Sequence, residues 1–411
     1  MSDERHVIVG GGLAGAKAAE ALRAEGHAGE IVLIGTEDEL PYERPPLSKD
    51  YLRGEAKRED ARVHPESFYR DGSIELRTAT SVTAIDPGAR EVELDGGERL
   101  GWDKLLLATG SEPRRLELPG SELDGVLYLR ELDDADAIAT RLEPGARLAV
   151  IGAGWIGSEV AASARQLGAE VEIVERAARP LEHVLGAEAS DFYARVHREH
   201  GVTLHAGAEL ERFEGTGQVE AVRLGDGATI DCDLVVVGVG IAPRTGLAEA
   251  AGLEVDDGIV TDERLATSAP GIFACGDVAN AQHPFYGRRL RVEHWANALH
   301  QPETAARAML GKDASYERIP YFFSDQYDVG MEYAGFATEW DRIVFRGDPD
   351  GGEFIAFWLQ DGRVVAGMNV NVWDVTDQIQ ELIRSRREVE AARLEDPDES
   401  LEGLLDGAGE E

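Results

Sequence analysis

The sequence predicts an α/β chain: two units of one plan, each on a parallel sheet, then a smaller α+β piece. Three observations predict it. An apolar strand, Arg147 to Ile151, runs into Gly152-x-Gly154-x-x-Gly157 and a helix-forming stretch. The same order stands near the start, where Val7 to Val9 precede Gly10-x-Gly12-x-x-Gly15. After Ile319-Pro320 the pattern changes to alternating strands, Ile343 to Arg346, Phe354 to Leu359 and Val364 to Asn369. Strand, glycine turn and helix together form the dinucleotide fingerprint. The glycines let the backbone turn tightly and approach a pyrophosphate, which rests on the helix N-terminus. Two fingerprints in one chain imply two redox carriers that must meet.

In the first unit a helix is expected from about Ala14 to Arg23 and a second strand over Ile31 to Ile34. Glu37 follows that strand, where a ribose-binding carboxylate belongs. Pro41-Tyr42-Glu43-Arg44-Pro45-Pro46-Leu47-Ser48-Lys49-Asp50 is a proline-stiffened loop, with Ser48 placed to cap a helix. Lysine is rare here; Lys17, Lys49, Lys57, Lys104 and Lys312 are the only ones, and arginine carries the remaining positive charge. A compact ammonium kept at Lys49 suits a point-charge role. Ile74 to Leu76, Ser81 to Asp86 and Glu91 to Leu94 read as short strands. A buried strand from Trp102 then ends in Ala108-Thr109-Gly110, where glycine permits close backbone contact with a ligand.

The second unit repeats this plan. Val171 to Val174 form its second strand, and Glu175 stands at the end. A carboxylate there accepts ribose hydroxyls and repels a 2′-phosphate, which favours NADH over NADPH although Arg176 follows. Short strands between Thr203 and Arg223 and a buried strand from Asp233 to Gly240 complete the repeat. The chain then returns to the first unit through Ile272-Phe273-Ala274-Cys275-Gly276-Asp277 and a helix opened by Glu293-His294-Trp295 and running through Leu310. In the last piece Asp361-Gly362 marks a hairpin turn, a helix runs to about Val389, and the acidic end from Glu395 is expected to be disordered.

Composition bounds the function. A 43% hydrophobic content is that of a globular protein. No apolar run reaches the ~20 residues of a membrane helix, and the start lacks a signal peptide, so a cytoplasmic location is the expectation. Cys232 and Cys275 are far apart, without a Cys-x-x-Cys pair, and the histidines are scattered; neither a redox dithiol nor a metal site has support. The net charge of −38, from 79 acidic residues, argues against nucleic acid and anionic membrane as partners. It also suits a salt-rich interior, where self-repulsion is screened. Arg288, Arg289 and Arg291 form the clearest basic cluster for docking an acidic partner.

Together these residues resemble the FAD-dependent, NADH-linked ferredoxin reductases that feed oxygenases, over about Arg5 to Arg387. The resemblance rests on both glycine motifs, Tyr42-Glu43-Arg44-Pro45-Pro46-Leu47-Ser48-Lys49, Ala108-Thr109-Gly110, Glu159, Cys275-Gly276-Asp277, Glu293-His294-Trp295 and Phe323-Ser324-Asp325-Gln326. It implies two Rossmann-like, glutathione-reductase-type nucleotide-binding domains plus an α+β C-terminal domain. The implied division is 1–112 with 244–318 for FAD, 113–243 for NADH, 319–390 for the C-terminal domain and 391–411 for the tail.

The resemblance further implies roles for named residues. Gly10, Gly12, Leu13, Ala14 and Gly15 hold the FAD pyrophosphate, and Glu37 holds its ribose. Arg44 and Lys49 line the flavin, and Val82 meets the adenine. Ala108, Thr109, Gly110, Gly276, Asp277, Glu293, His294 and Trp295 complete the FAD site, with Trp295 offering backbone N–H to the flavin. Gly152, Gly154, Ile156, Gly157, Glu175 and Gly240 hold NADH; Glu159 lies near the nicotinamide. Lys49 and Glu159 are the catalytic candidates. Phe323 stands where the family often carries tryptophan. The implied acceptor is a ferredoxin- or rubredoxin-type iron–sulfur protein, and the implied state a monomer or homodimer. Monodehydroascorbate reductases and NADH-sensing flavoproteins resembling apoptosis-inducing factor are the alternatives. Coenzyme A disulfide reductases need a cysteine near Pro41 to Pro46, and none is there.

Overall fold

A computed structural model describes residues 4–406. The chain divides into two compact units. The first comprises Met1–Arg44, Arg58–Glu112 and Ile241–Arg318; the second comprises Pro45–Lys57, Pro113–Gly240 and Ile319–Glu411.

The first unit is built on a parallel sheet in the order Ile272–Ala274, Lys104–Leu107, Arg5–Val9, Glu30–Ile34, Ile74–Arg77. Period-two alternation sends its apolar residues to both faces, as a sheet covered on both sides requires. Ile8, Leu33 and Leu106 pack toward the helices Leu13–Ala24 and Trp295–Met309. Val7, Val9, Leu105 and Leu107 pack on the opposite side with Ile85 and Val92 of a small antiparallel sheet.

The second unit repeats the arrangement. Its parallel sheet runs Thr203–Ala206, Glu170–Glu175, Arg147–Ile151, Leu234–Val237, Val126–Tyr128. Leu148 and Val150 face the helix Trp155–Gln166, and Ala149 and Ile151 face the antiparallel strands Leu210–Thr216 and Gln218–Leu224. This unit also holds a five-stranded antiparallel sheet, ordered Tyr321–Gln326, Val329–Gly335, Arg363–Val370, Glu353–Gln360, Arg342–Asp348. The expected turn is there: Asp361 and Gly362 have φ of 50° and 70°, the left-handed pair of a tight hairpin. A helix not foreseen in the sequence, Glu182–Glu199, lays Leu185, Phe192, Tyr193 and Val196 on this sheet, and the Trp358 indole donates to Leu185 O at 3.1 Å.

Two segments lie elsewhere than the sequence suggested. Pro45–Lys57 belongs to the second unit, not the first. Leu52 packs there among Leu148, Val160 and Ala164, and Tyr51 OH donates to Asp136 at 2.7 Å. The stretch after Glu390, expected to be disordered, is folded to residue 406; 407–411 lie outside the described residues. Leu394, Leu401 and Leu404 are buried, and the Arg346 guanidinium donates to Pro397 O and Glu399 O. Those three leucines outweigh the acidic composition that suggested disorder.

Candidate dinucleotide sites and a buried ion pair

In the first unit the glycine turn is shaped by close backbone approach. A Cβ on Gly10, whose φ is 128°, stands 2.0 Å from Ala108 O. Thr109 Oγ1 donates to Arg244 O and Arg244 N–H to Gly110 O, both at 2.9 Å, so Ala108-Thr109-Gly110 is fastened beside that turn. Gly12 is the N-cap of the helix Leu13–Ala24, which has neither a capping side chain nor an acid in its first turn. A Cβ on Gly12 meets nothing within 4 Å. A bare glycine-bordered helix start of this kind fits a dinucleotide pyrophosphate. Ala14 Cβ lies 3.1 Å from a Cβ built on Gly276, which brings Gly276-Asp277 to the same place; Gly276 N–H donates to Gln301 Oε1 at 2.8 Å.

Other expected first-unit residues pair in ways the sequence did not foretell. Glu37 takes the Arg44 guanidinium at 3.0 Å and the Tyr42 hydroxyl. Trp295 Nε1 donates to Glu43 at 3.0 Å. Glu293 is exposed and takes a hydrogen bond from Arg291. His294 caps the helix Trp295–Met309, and burial pulls its pKa down to about 3. Val82 opens a strand of the small sheet, opposite Leu94. Arg291 is held by Asp257 and Glu293, which leaves Arg288 and Arg289 as the exposed part of the basic cluster.

In the second unit Gly154 caps the helix Trp155–Gln166, again without a capping side chain or a first-turn acid. A Cβ on Gly157 stands 2.1 Å from Gly152 O, so only glycine fits there. Ile156, in the first helical turn, is 45% exposed, a large apolar group facing outward beside the bare helix start. The Glu175 carboxylate accepts from Ala153 N and Ala177 N, each at 2.7 Å, which places it against the glycine turn. Gly240 O accepts from Arg114 N at 2.9 Å.

The two catalytic candidates meet. Lys49 Nζ lies 2.8 Å from Glu159 Oε2, with side chains 10% and 4% exposed. Lys49 falls in the second unit, whereas Arg44, with which the sequence grouped it, falls in the first. Ser48 Oγ donates to Glu159 at 2.5 Å and Ser324 Oγ at 2.6 Å. Phe323 flanks the pair, its ring centroid 5.6 Å from Lys49 Nζ. A carboxylate buried this deeply needs donors on its oxygens, and here Lys49, Ser48 and Ser324 supply them. Sequence reasoning missed both serines: Ser48 serves Glu159 instead of a helix cap, and Ser324 had no role. The available signal was the alternation Phe322, Ser324, Gln326, which sends a hydroxyl inward from a strand.

A second cluster also escaped the sequence reading. Glu4, His6 and His27 bring ligand atoms within 4.8 Å of one another. The two imidazoles are stacked 3.8 Å apart at 10°, so their in-plane lone pairs do not converge on one point. Cys232 and Cys275 are free and buried, and burial pushes the Cys232 thiol up to about 12 and that of Cys275 higher. Among the described residues no helix is long and apolar enough to cross a membrane.

Comparison with known proteins agrees with this geometry. Residues 4–302 match the family described as pyridine nucleotide-disulphide oxidoreductase, and residues 321–405 match a reductase C-terminal domain. The chain belongs to that oxidoreductase family. It is 40% identical to putidaredoxin reductase CamA of Pseudomonas putida, over 99% of this chain and 98% of the relative. It is also 40% identical to the ferredoxin–NAD(+) reductase component of the anthranilate 1,2-dioxygenase system of Burkholderia cepacia, over 98% and 100%. Among solved structures, the covalent putidaredoxin reductase–putidaredoxin complex superposes with a TM-score of 0.96 at 39% identity, covering 99% of each chain.

Proposed function

We propose that the chain carries electrons from NADH through FAD to a ferredoxin- or rubredoxin-type iron–sulfur protein. The observation that carries this reading is the whole-length match to ferredoxin reductase components, 98% of this chain against 100% of the Burkholderia protein. The cysteine chemistry supports it within the family. Both thiols are buried with raised pKa, so neither offers a thiolate for a sulfur relay.

In this reading the first unit holds FAD, through the helix start at Gly12 to Gly15, Glu37 with Arg44, Gly276-Asp277 and the helix opened by Trp295. The second unit holds NADH, through Gly152 to Gly157 and Glu175. Bound FAD supplies the change from a two-electron donor to a one-electron acceptor. The bare helix starts supply N–H groups and dipole to the phosphates. Glu175 accepts the adenosine ribose hydroxyls and disfavours a 2′-phosphate. Glu159 orients the nicotinamide, and Lys49 supplies fixed positive charge where negative charge develops. Phe323 screens the pair from water.

We read the protein further as cytoplasmic, a monomer or homodimer, and adapted to salt through its charge of −38. Its partners exclude nucleic acid and membrane. The test is NADH-driven reduction of cytochrome c, with and without added ferredoxin. Stimulation by ferredoxin supports the proposal. Rapid turnover of ascorbyl radical with no such stimulation points instead to a monodehydroascorbate reductase.

A further inference from the structure

The carboxylate of Glu159 is addressed on both oxygens. Lys49 Nζ and Ser48 Oγ meet Oε2 at 2.8 and 2.5 Å, and Ser324 Oγ meets Oε1 at 2.6 Å. Ser48, Glu159 and Ser324 are each at most 3% exposed. Ser324 comes from Tyr321–Gln326, the first strand of the C-terminal sheet. That strand is fixed on the helix Trp155–Gln166 two residues before Ser324: the Phe322 ring packs on Trp155 with centroids 5.0 Å apart.

Ser324 is also backed from behind. Gln326 Nε2 donates to its hydroxyl oxygen at 3.4 Å. Gln326 also engages the His197 side chain, whose Nδ1 lies 3.2 Å from Tyr327 OH. The terminal torsion of a glutamate is broad, so a carboxylate gripped at one oxygen swings about it. A donor on the second oxygen stops that motion.

We propose that Ser324 is a positioning residue that fixes the Glu159 carboxylate against Lys49, making the C-terminal sheet a working part of the redox site. The inference rests on reading Glu159 and Lys49 as the groups beside the reacting nicotinamide. Ser48 holds the oxygen that Lys49 already neutralises. Ser324 holds the other, so its loss frees the carboxylate to rotate.

The test is a double-mutant cycle with Glu159→Gln, read two ways on the full chain. In the flavin-loaded protein, Ser324→Ala lowers the rate constant for flavin reduction by NADH about tenfold, the value of one hydrogen bond to a charged group. Its NAD+ affinity, measured by calorimetry, stays within about twofold, and Ser324→Thr restores the rate. In the Glu159→Gln background the same change costs less than about threefold, because the acceptor is no longer charged. The second reading needs no cofactor. Ser324→Ala lowers the urea midpoint when Glu159 is present and by less than half as much when it is Gln.

Equal losses in both backgrounds, in rate and in midpoint, overturn the proposal and leave Ser324 a packing residue. Should the alanine variant fail to fold, Ser324→Cys keeps the shape with a weaker donor and is read in the same cycle. Protein that retains no flavin contradicts the proposed function, and the stability cycle then decides on Ser324 by itself.

Discussion

Lys49 Nζ and Glu159 Oε2 lie 2.8 Å apart with both side chains nearly buried, one on a proline-stiffened turn and the other inside a helix. A buried ion pair is weak evidence for stability as a whole, but removing one partner strands the other charge. Lys49→Ala is expected to lower stability by about 3 kcal/mol, and Lys49→Ala with Glu159→Gln by less than Lys49→Ala alone. Urea unfolding of the three variants measures this. The single change is also expected to slow flavin reduction while leaving flavin content unchanged. An unaltered rate and stability contradicts both roles of Lys49.

The proposed nicotinamide nucleotide site makes a second prediction. A Cβ at Gly157 meets Gly152 O at 2.1 Å, so Gly157→Ala displaces the turn and is expected to weaken NADH binding by about tenfold or more. Glu175→Ala removes the proposed ribose acceptor together with its hydrogen bonds to Ala153 N and Ala177 N, and is expected to narrow the proposed preference for NADH over NADPH. Steady-state kinetics with both nucleotides separates the two effects. A preference untouched by Glu175→Ala contradicts the ribose assignment.

Buried imidazoles set the acid limit. Burial lowers the pKa of His6 to about 3, of His197 to about 4 and of His294 to about 3. A histidine with a folded pKa below its unfolded value of about 6.5 binds protons better when unfolded. Stability is therefore full above pH 6.5 and is lost as pH falls toward about 4 and then 3, by about 1.4 kcal/mol per pH unit for each such group. His6 stacks on His27 with no hydrogen bond to either ring nitrogen, so His6→Phe keeps the packing and is expected to flatten this slope. Melts from pH 7 to 4 test it; an unchanged slope contradicts the account of His6.

The surface charge predicts a salt requirement. At −38, self-repulsion acts on the folded chain most strongly at low ionic strength, where the Debye length is roughly 30 Å at 0.01 M and 3 Å at 1 M. The melting temperature is expected to rise by several degrees or more from low to molar salt. Equal melting in both contradicts salt adaptation.

Much of this was legible in the sequence. Both parallel sheets were visible as short apolar strands followed by glycine turns, because strand, turn and helix have separate local signals. What was hidden depends on contacts between distant segments. The helix Glu182–Glu199 begins after Leu181 at φ 60° and bends at Gly186, so it lacks a start signal, and its stop signal, Gly201 at φ 78°, does not reveal the helix by itself. The hairpin at Tyr327-Asp328 puts a tyrosine at φ 59° without the glycine or asparagine that marks such turns. Ser48 and Ser324 are ordinary hydroxyls until the fold sets both on Glu159. Glu37 and Arg44 were read separately and are found paired, which changes what either offers to a ligand.

The most direct measurement of the central claim is the visible spectrum of the purified full chain, before and after NADH, with a ferredoxin then added without oxygen. The account predicts a yellow protein with oxidised flavin bands that bleach with NADH and return as ferredoxin is reduced. A colourless protein that cannot be reconstituted with FAD, or bleached flavin that ferredoxin leaves unchanged, contradicts it.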